Sequence, residues 1–216
     1  KLNNYCFKSA QEIIVLSKPM KSLLENRYPF IKDKVNIISS WCDHNRIYPI
    51  KKEINWFVKK YNLQSKFVVL YSGNQGRCHD LTTIIRAAKF LKKEKDIIFL
   101  FIGNGAQHKF LTDYVTKNNL QNCLFLEYQE FDNLLYTLNS ADLACVTLSK
   151  DAESLIAPSK LYGHLAAATP IAAITPDKSY LKKLVKKYDC GKWFNNGDYF
   201  ALAKWIINLK DNNVSK

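Results

Sequence analysis

The sequence predicts an α/β fold built on a Rossmann-like, doubly wound parallel sheet. Three observations carry that prediction. From Lys66 onward, short apolar runs alternate with longer segments of helical period. Runs such as "KFVVLYS" and "DIIFLFIG" are apolar throughout, as strands covered on both faces must be. The junctions "SGNQGRCHD", "GNGAQ", "EYQEF" and "SKDAESLIAPS" hold the polar residues and several of the glycines. All four fall beyond the C-terminal ends of strands, where ligands bind in open α/β sheets.

The elements follow in order. "QEIIVLS" reads as a strand, "KPMKSLLENRY" as a helix and "KVNIIS" as a second strand; "SWCDHNRIYPIKKEIN" reads as a connector. Two strands and one helix are too few to bury a core. Residues 1–50 are therefore expected to be the tail of a preceding α/β domain and a hinge. The chain starts without Met and in mid-pattern, so the rest of that domain is expected to lie upstream. Residues 51–216 are expected to form the ligand-binding domain. There "KFVVLYS" leads into "LTTIIRAAKFLKK", with Leu81, Ile84, Ile85, Ala88 and Leu91 on one helical face. "DIIFLFIG", "CLFLEY", "DLACVTLS" and "PIAAIT" read as further strands. "AQHKFLTDYVTKNN", "FDNLLYTLNS", "PSKLYGHLAAA" and "KSYLKKLVKKY" read as the helices after them. "GDYFALAKWIINLK" closes the chain, with Leu202, Trp205, Ile206 and Leu209 on one side.

Composition narrows the function classes. Lys and Arg number 32 against 19 Asp and Glu, a formal charge of +13. That suits an anionic partner: nucleic acid, nucleotide phosphates or an acidic membrane surface. It equally suits a solvated, lysine-rich surface. The lysines are dispersed rather than clustered with aromatics, which argues against nucleic acid. The six cysteines are scattered, without C-x-x-C or Cys/His ligand spacing, so no structural zinc is expected. Free thiols suit a reducing cytoplasm. No apolar run approaches a membrane span. No G-x-G-x-x-G with a downstream acid, no P-loop and no Asp-x-Asp occurs, so neither an NAD site nor a bound metal is expected.

The junctions supply the candidate residues. In the first, Gly73 and Gly76 let the backbone bend and approach a ligand, and Asn74 lies between them. The helix start just beyond offers N–H groups to an anion. Arg77 could add a charge-assisted bond to phosphate and His79 a donor. Asp80 would oppose a phosphate unless it caps the helix. A glycine-containing turn is otherwise only a turn. Gly103 opens the second junction in the same way. Tyr128 could flank a flat base, or simply pack. In the last junction, Pro158 fits the first turn of a helix. The loop from Glu153 to Ala157 then leads to that helix N-terminus. Lys160 opposes the helix dipole there, which makes sense if a phosphate sits between them. Otherwise its ammonium reaches water. Glu153 could accept bonds from hydroxyls, or be a surface acid.

These residues carry a resemblance. "VVLYSGNQGRCHDLTTIIRAAKFLK", "IIFLFIGNGAQHKFL" and "ESLIAPSKLYGHLAAATPIAAI" resemble the C-terminal, donor-binding half of GT-B retaining glycosyltransferases of family four. The nearest likeness is to bacterial enzymes of capsule, O-antigen and colanic acid assembly. "AQEIIVLSKPMKSLL" and "KVNIISSWCDHNRIYPI" resemble the end of the N-terminal domain and the hinge. The resemblance implies transfer of a sugar, with retention and without a metal, from a UDP- or GDP-sugar to a glycan or lipid-linked acceptor. The acceptor would be held by the absent N-terminal domain, so these 216 residues alone are expected to be inactive. It implies that Glu153 contacts the donor sugar and that Arg77 and Lys160 face the diphosphate. Ser154, Leu155 and Ile156 would offer backbone N–H groups, and Ser159 belongs to the same Pro-Ser-Lys pattern. Tyr128 and Gln129 would hold the base. The family's second acid is replaced by Gly163, or by Leu161 when counted forward from Glu153. A nucleotide-sugar epimerase on the same halves and a basic nucleic-acid-binding domain are the alternatives. A cytoplasmic place, on or near the anionic inner membrane face, is expected.

Overall fold

The computed structural model describes residues 2–153 and 155–213. A small N-terminal unit comes first: α1 (Leu2–Ser9), β1 (Ile13–Val15), α2 (Lys18–Arg27) and β2 (Val35–Ile37). The main unit then runs α3 (Trp56–Lys60), β3 (Phe67–Ser72), α4 (Leu81–Phe90), β4 (Ile97–Ile102), α5 (His108–Asn118) and β5 (Cys123–Leu126). It continues through α6 (Leu134–Leu138), β6 (Leu143–Thr147), α7 (Lys160–Ala166), β7 (Ile171–Ile174), α8 (Tyr180–Tyr188), β8 (Gly191–Phe194) and α9 (Tyr199–Asn213).

Six of the strands form one parallel sheet in the order β5-β4-β3-β6-β7-β8. The chain works outward from β3 to β5, returns to the centre, and works outward again from β6. Order therefore reverses between β3 and β6, and a crevice opens there at the C-terminal strand ends. Alternation assigns the strand residues to two layers. Val69, Tyr71, Phe99 and Phe101 face Ile84, Ile85, Leu202 and Ile206 of α4 and α9. Val68, Leu70, Leu100 and Ile102 face Phe57, Val58 and Leu138 on the other side. Every one of these residues is buried, as uniformly apolar strands require.

The N-terminal unit is a two-stranded parallel pair, Ile13–Val15 beside Val35–Ile37. It buries Val15, Ile31 and Val35 but leaves Ile14, Ile37 and Ile38 exposed. The connector after it is strapped to the main unit. Asn139 accepts from the Ile50 N–H at 2.9 Å and donates to the Tyr48 carbonyl at 2.9 Å. Lys52 reaches the Asp142 carboxylate at 2.6 Å, and the same oxygen accepts the Val68 N–H at 2.7 Å.

Several elements differ from the sequence expectation. The strand β8, "GKWF", was not anticipated: it is a short edge strand that starts on Gly and is only partly buried. The helices α1 and α3 were also not anticipated, the second because its five residues are too few to show a period. The helix α7 starts at Lys160, so Pro158 lies before its first turn rather than in it. Lys160 keeps its expected place at the helix start.

Leu100 is fully buried in the second strand of the sheet. Leu100→Ala is expected to cost about 2–5 kcal/mol, read as a lower denaturant midpoint at unchanged slope.

Candidate functional site

Two amides, Gln75 buried and Gln107 half-buried, tie the glycine turns into one wall. Gln75 donates from Nε2 to the Gly103 carbonyl at 2.9 Å, and its Oε1 lies 2.9 Å from His108 Nδ1. Gln107 donates to the carbonyls of Gly76 at 2.6 Å and His79 at 2.9 Å. The backbone approaches are close. A Cβ on Gly103, where φ is +109°, would come within 2.5 Å of the Gly73 carbonyl oxygen and 3.0 Å of the Tyr128 ring. One on Gly73, where φ is +128°, would stand 3.2 Å from Lys160 Nζ. Only glycine lets these turns meet.

On the other side of the switch point, His79 Nδ1 lies 2.8 Å from the Thr147 carbonyl at the end of β6. The Ser149 N–H reaches the Cys78 carbonyl at 2.8 Å. Asp80 caps α4: it accepts the Thr83 N–H at 3.0 Å and also holds Asn196 Nδ2 at 3.0 Å. Its charge is thus spent on the helix start and does not oppose an anion in the crevice.

The crevice encloses a cavity of about 630 Å³. Of the sequence candidates, Gly73, Asn74, His79, Tyr128, Gln129, Ser159 and Lys160 line it. The hinge adds Trp41, Asp43 and Arg46, and α6 adds Thr137 and Leu138. Gly76 and Gly103 shape the wall from behind. Arg77 is exposed on the turn and does not line the cavity; the inward place there goes to His79, anchored on Thr147. Glu153 is half-buried at the end of a short 3-10 turn and lies outside the cavity wall. Leu155 is exposed, and Ile156 packs against the core around α7 and α8. Ser154 lies outside the described residues. Gly163 lines the cavity with no side chain to offer, whereas Leu161 is buried in the core.

Lys160 dominates the electrostatics. Its ammonium is sealed from solvent and has no hydrogen-bond partner among the described residues. It lies 3.8 Å from the centroid of the Tyr71 ring. Burial lowers its pKa to about 7. At about 1.4 kcal/mol per unit, that reflects a cost on the order of 5 kcal/mol for the charged form. His79 is also held below its ordinary value, by burial first and by the Lys160 charge second. One helical turn along, His164 is fully buried with both ring nitrogens unpartnered, and burial lowers its pKa to about 3. Tyr71, Gln75 and His164 were not picked out in the sequence. Each sits inside an element or turn that reads as ordinary packing, and nothing local marks it.

The arrangement is a glycine-walled crevice at a topological switch point, holding one ammonium with no hydrogen-bond partner among the described residues. The family model for glycosyl transferases group 1 matches residues 53–216. The chain belongs to that family. This glycosyltransferase domain is 29% identical over 227 aligned positions to "Probable glycosyltransferase WbjE" of Pseudomonas aeruginosa, covering 100% of this chain and 53% of that protein. It superposes on HepE of Anabaena, solved in complex with UDP and glucose, with a TM-score of 0.81 at 15% identity, over 97% of this chain and 56% of that one. It superposes on WaaG, a glycosyltransferase involved in lipopolysaccharide biosynthesis, with a TM-score of 0.76 at 14% identity, over 92% and 53%. Such identities speak for the fold, which is the α/β half of a GT-B glycosyltransferase. The chain spans about half the length of these relatives. Among the described residues of this glycosyltransferase domain, no group of three His, Cys, Asp or Glu could hold a metal ion, and no helix is long and apolar enough to cross a membrane.

His164 gives the domain a pH signature. Unfolded, it titrates near 6.5; folded, near 3. Below pH 6.5 the unfolded chain binds a proton that the native state refuses, so stability falls as pH falls through that window. Urea unfolding at pH 7.5 and 5.0 is expected to show a loss of about 2 kcal/mol from this residue. His164→Leu should remove that part of the slope.

Proposed function

We propose that this chain is the nucleotide-sugar-binding part of a glycosyltransferase of surface polysaccharide assembly. It would take a sugar from a UDP- or GDP-sugar and pass it, with retention, to a glycan or lipid-linked acceptor. One observation carries the reading: the buried, unpartnered ammonium of Lys160 faces a glycine-walled cavity at the sheet's switch point. A diphosphate is the ligand that such a cation lacks. Lys160 would stabilise the charge that develops on the departing diphosphate, so no metal is needed for that task. His79 and the turn at Gly73 and Asn74 would bound the phosphates. Tyr128 and Gln129 would hold the base. Glu153 would contact the sugar from the rim. The UDP in the Anabaena neighbour favours uridine.

The exposed Ile14, Ile37 and Ile38 of the small sheet would be covered by the rest of an acceptor-side domain in a longer protein. A cytoplasmic place beside the anionic inner membrane face fits the +13 charge and the scattered cysteines.

Calorimetric titration with UDP, GDP and a random oligonucleotide at two salt concentrations tests the reading. Saturable one-site binding of one nucleotide is expected. Binding of the oligonucleotide alone, weakening steeply with salt, would replace it with the nucleic-acid alternative. In the full-length enzyme, Glu153→Ala and Lys160→Ala are each expected to cut turnover at least tenfold, about 1.4 kcal/mol or more of transition-state stabilisation. Turnover should survive EDTA. Wild-type rates in both variants would refute the assignment of these residues.

A further inference from the structure

Lys160 has lost water and has gained no counter-ion. The groups around it come from separate parts of the chain. Tyr71 of β3 presents its ring at 3.8 Å. His79, on the turn after β3, is a base anchored to the Thr147 carbonyl. Cys145 of β6 is fully buried, and its thiol is pushed up to about 12, so it stays neutral and cannot serve as a counter-ion. His164, on the same helix, is neutral for the same reason of burial. Across the cavity stand Tyr128, Asp43 and Arg46. The nearby carboxylates are engaged or distant: Asp80 holds Thr83 and Asn196, and Glu153 lies outside the cavity wall. Among the described residues, no carboxylate pairs with the Lys160 ammonium.

Resting on the nucleotide-sugar reading, we propose that Lys160, sealed from water at the cavity wall without a counter-ion, holds its proton weakly in the free protein and takes one up when a nucleoside diphosphate binds. Binding at this site is then a three-body event: protein, diphosphate and proton. The physical basis is a reversal of sign. In the free crevice, desolvation opposes the charge, and the Tyr71 ring and Cys145 offset only part of that cost. A bound diphosphate places two or more negative charges at the same point, in a low-dielectric crevice where they count most. The pKa of Lys160, about 7 in the free protein, must rise in the complex.

The coupling sets a pH dependence of known direction. Above pH 7 the phosphates are already fully ionised, since the second pKa of a terminal phosphate is about 6. Any further change with pH belongs to the protein. Affinity falls as pH rises from 7 to 9, by up to about tenfold per unit, because one proton is bound with each ligand. The coupling also orders the reaction. Breaking the sugar–phosphate bond adds a negative charge to the diphosphate, so the product holds the proton more firmly than the donor does. Release of the product is then favoured by loss of that proton.

The test follows lysine side-chain resonances of the full-length chain, labelled with ¹³C at Cε, from pH 6 to 11. The signal absent in Lys160→Met identifies Lys160. That variant removes a buried charge and is expected to fold. In the free protein the Lys160 signal should titrate about three units below the other lysines. With saturating UDP or GDP, whichever binds, it should move upward by at least two units. Wild-type affinity should weaken at least fivefold between pH 7 and 9, while Lys160→Met should bind weakly and with no such slope. His79→Gln should retain the shift; a shift lost with His79 would assign the proton to His79 and overturn the proposal. Titration of Lys160 with the other lysines, or nucleotide binding that leaves its midpoint unmoved, would overturn it as well. If neither nucleotide binds at any pH, the nucleotide-sugar reading fails, and the coupling fails with it.

Discussion

A buried ammonium without a counter-ion is the constraint on which the rest of the site depends. Charged groups sealed from water and left unpaired are among the costliest features a fold can carry. The sheet tolerates Lys160 because everything near it is fixed. Tyr71 lies under it on the rigid central strand, and its hydroxyl is tied to the Asn74 carbonyl at 2.6 Å. Gly73 clears the space beside it, where a methyl group would press on Nζ. His79 and His164 refuse protons through burial, so their repulsion does not add to the cost. Stability is given up at one point, and what it leaves is an unmet demand for negative charge.

That demand is set where the topology already opens a crevice. The reversal of strand order between β3 and β6 leaves their C-terminal ends free of a crossover helix. The bonds His79–Thr147 and Ser149–Cys78 bridge the reversal and hold the two halves in register. Gln75 and Gln107 perform the same task between the first two turns. The crevice is therefore walled by backbone held by side-chain amides, with few charged side chains. Backbone N–H groups in fixed positions cost no reorganisation when charge develops on a leaving group. The fold class hosts many chemistries; the family match over residues 53–216 places this chain among the group 1 glycosyl transferases.

The hinge is the less expected contributor. Trp41, Asp43 and Arg46 reach the cavity from a segment with no strand or helix of its own. Arg46 stacks 4.3 Å over the Phe131 ring and pairs with Asp132 at 3.4 Å. The connector thus closes one side of the crevice while its far end is strapped to Asn139 and Asp142.

The sequence by itself determined the sheet, its parallel sense and the turns that line the crevice. Uniformly apolar runs such as "FVVLYS" and "IIFLFI" can be nothing but strands covered on both faces, and glycines after them mark the turns. It also determined that Lys160 stands at a helix start, where a cation is out of place. The edge strand β8 escaped it, because a four-residue, half-buried run carries no clear period. Only the tertiary structure decided which loop residues face inward. The turn after β3 offers Arg77 and His79 two positions apart, and the Thr147 carbonyl, 68 residues away, selects His79. The burial of the Lys160 ammonium was decided in the same way: Tyr71 and Gly73 come from one stretch of chain and Cys145 from another, both apart from its own helix. Periodicity along a chain reports local geometry, and the environment of a charge is set by residues that only folding brings together.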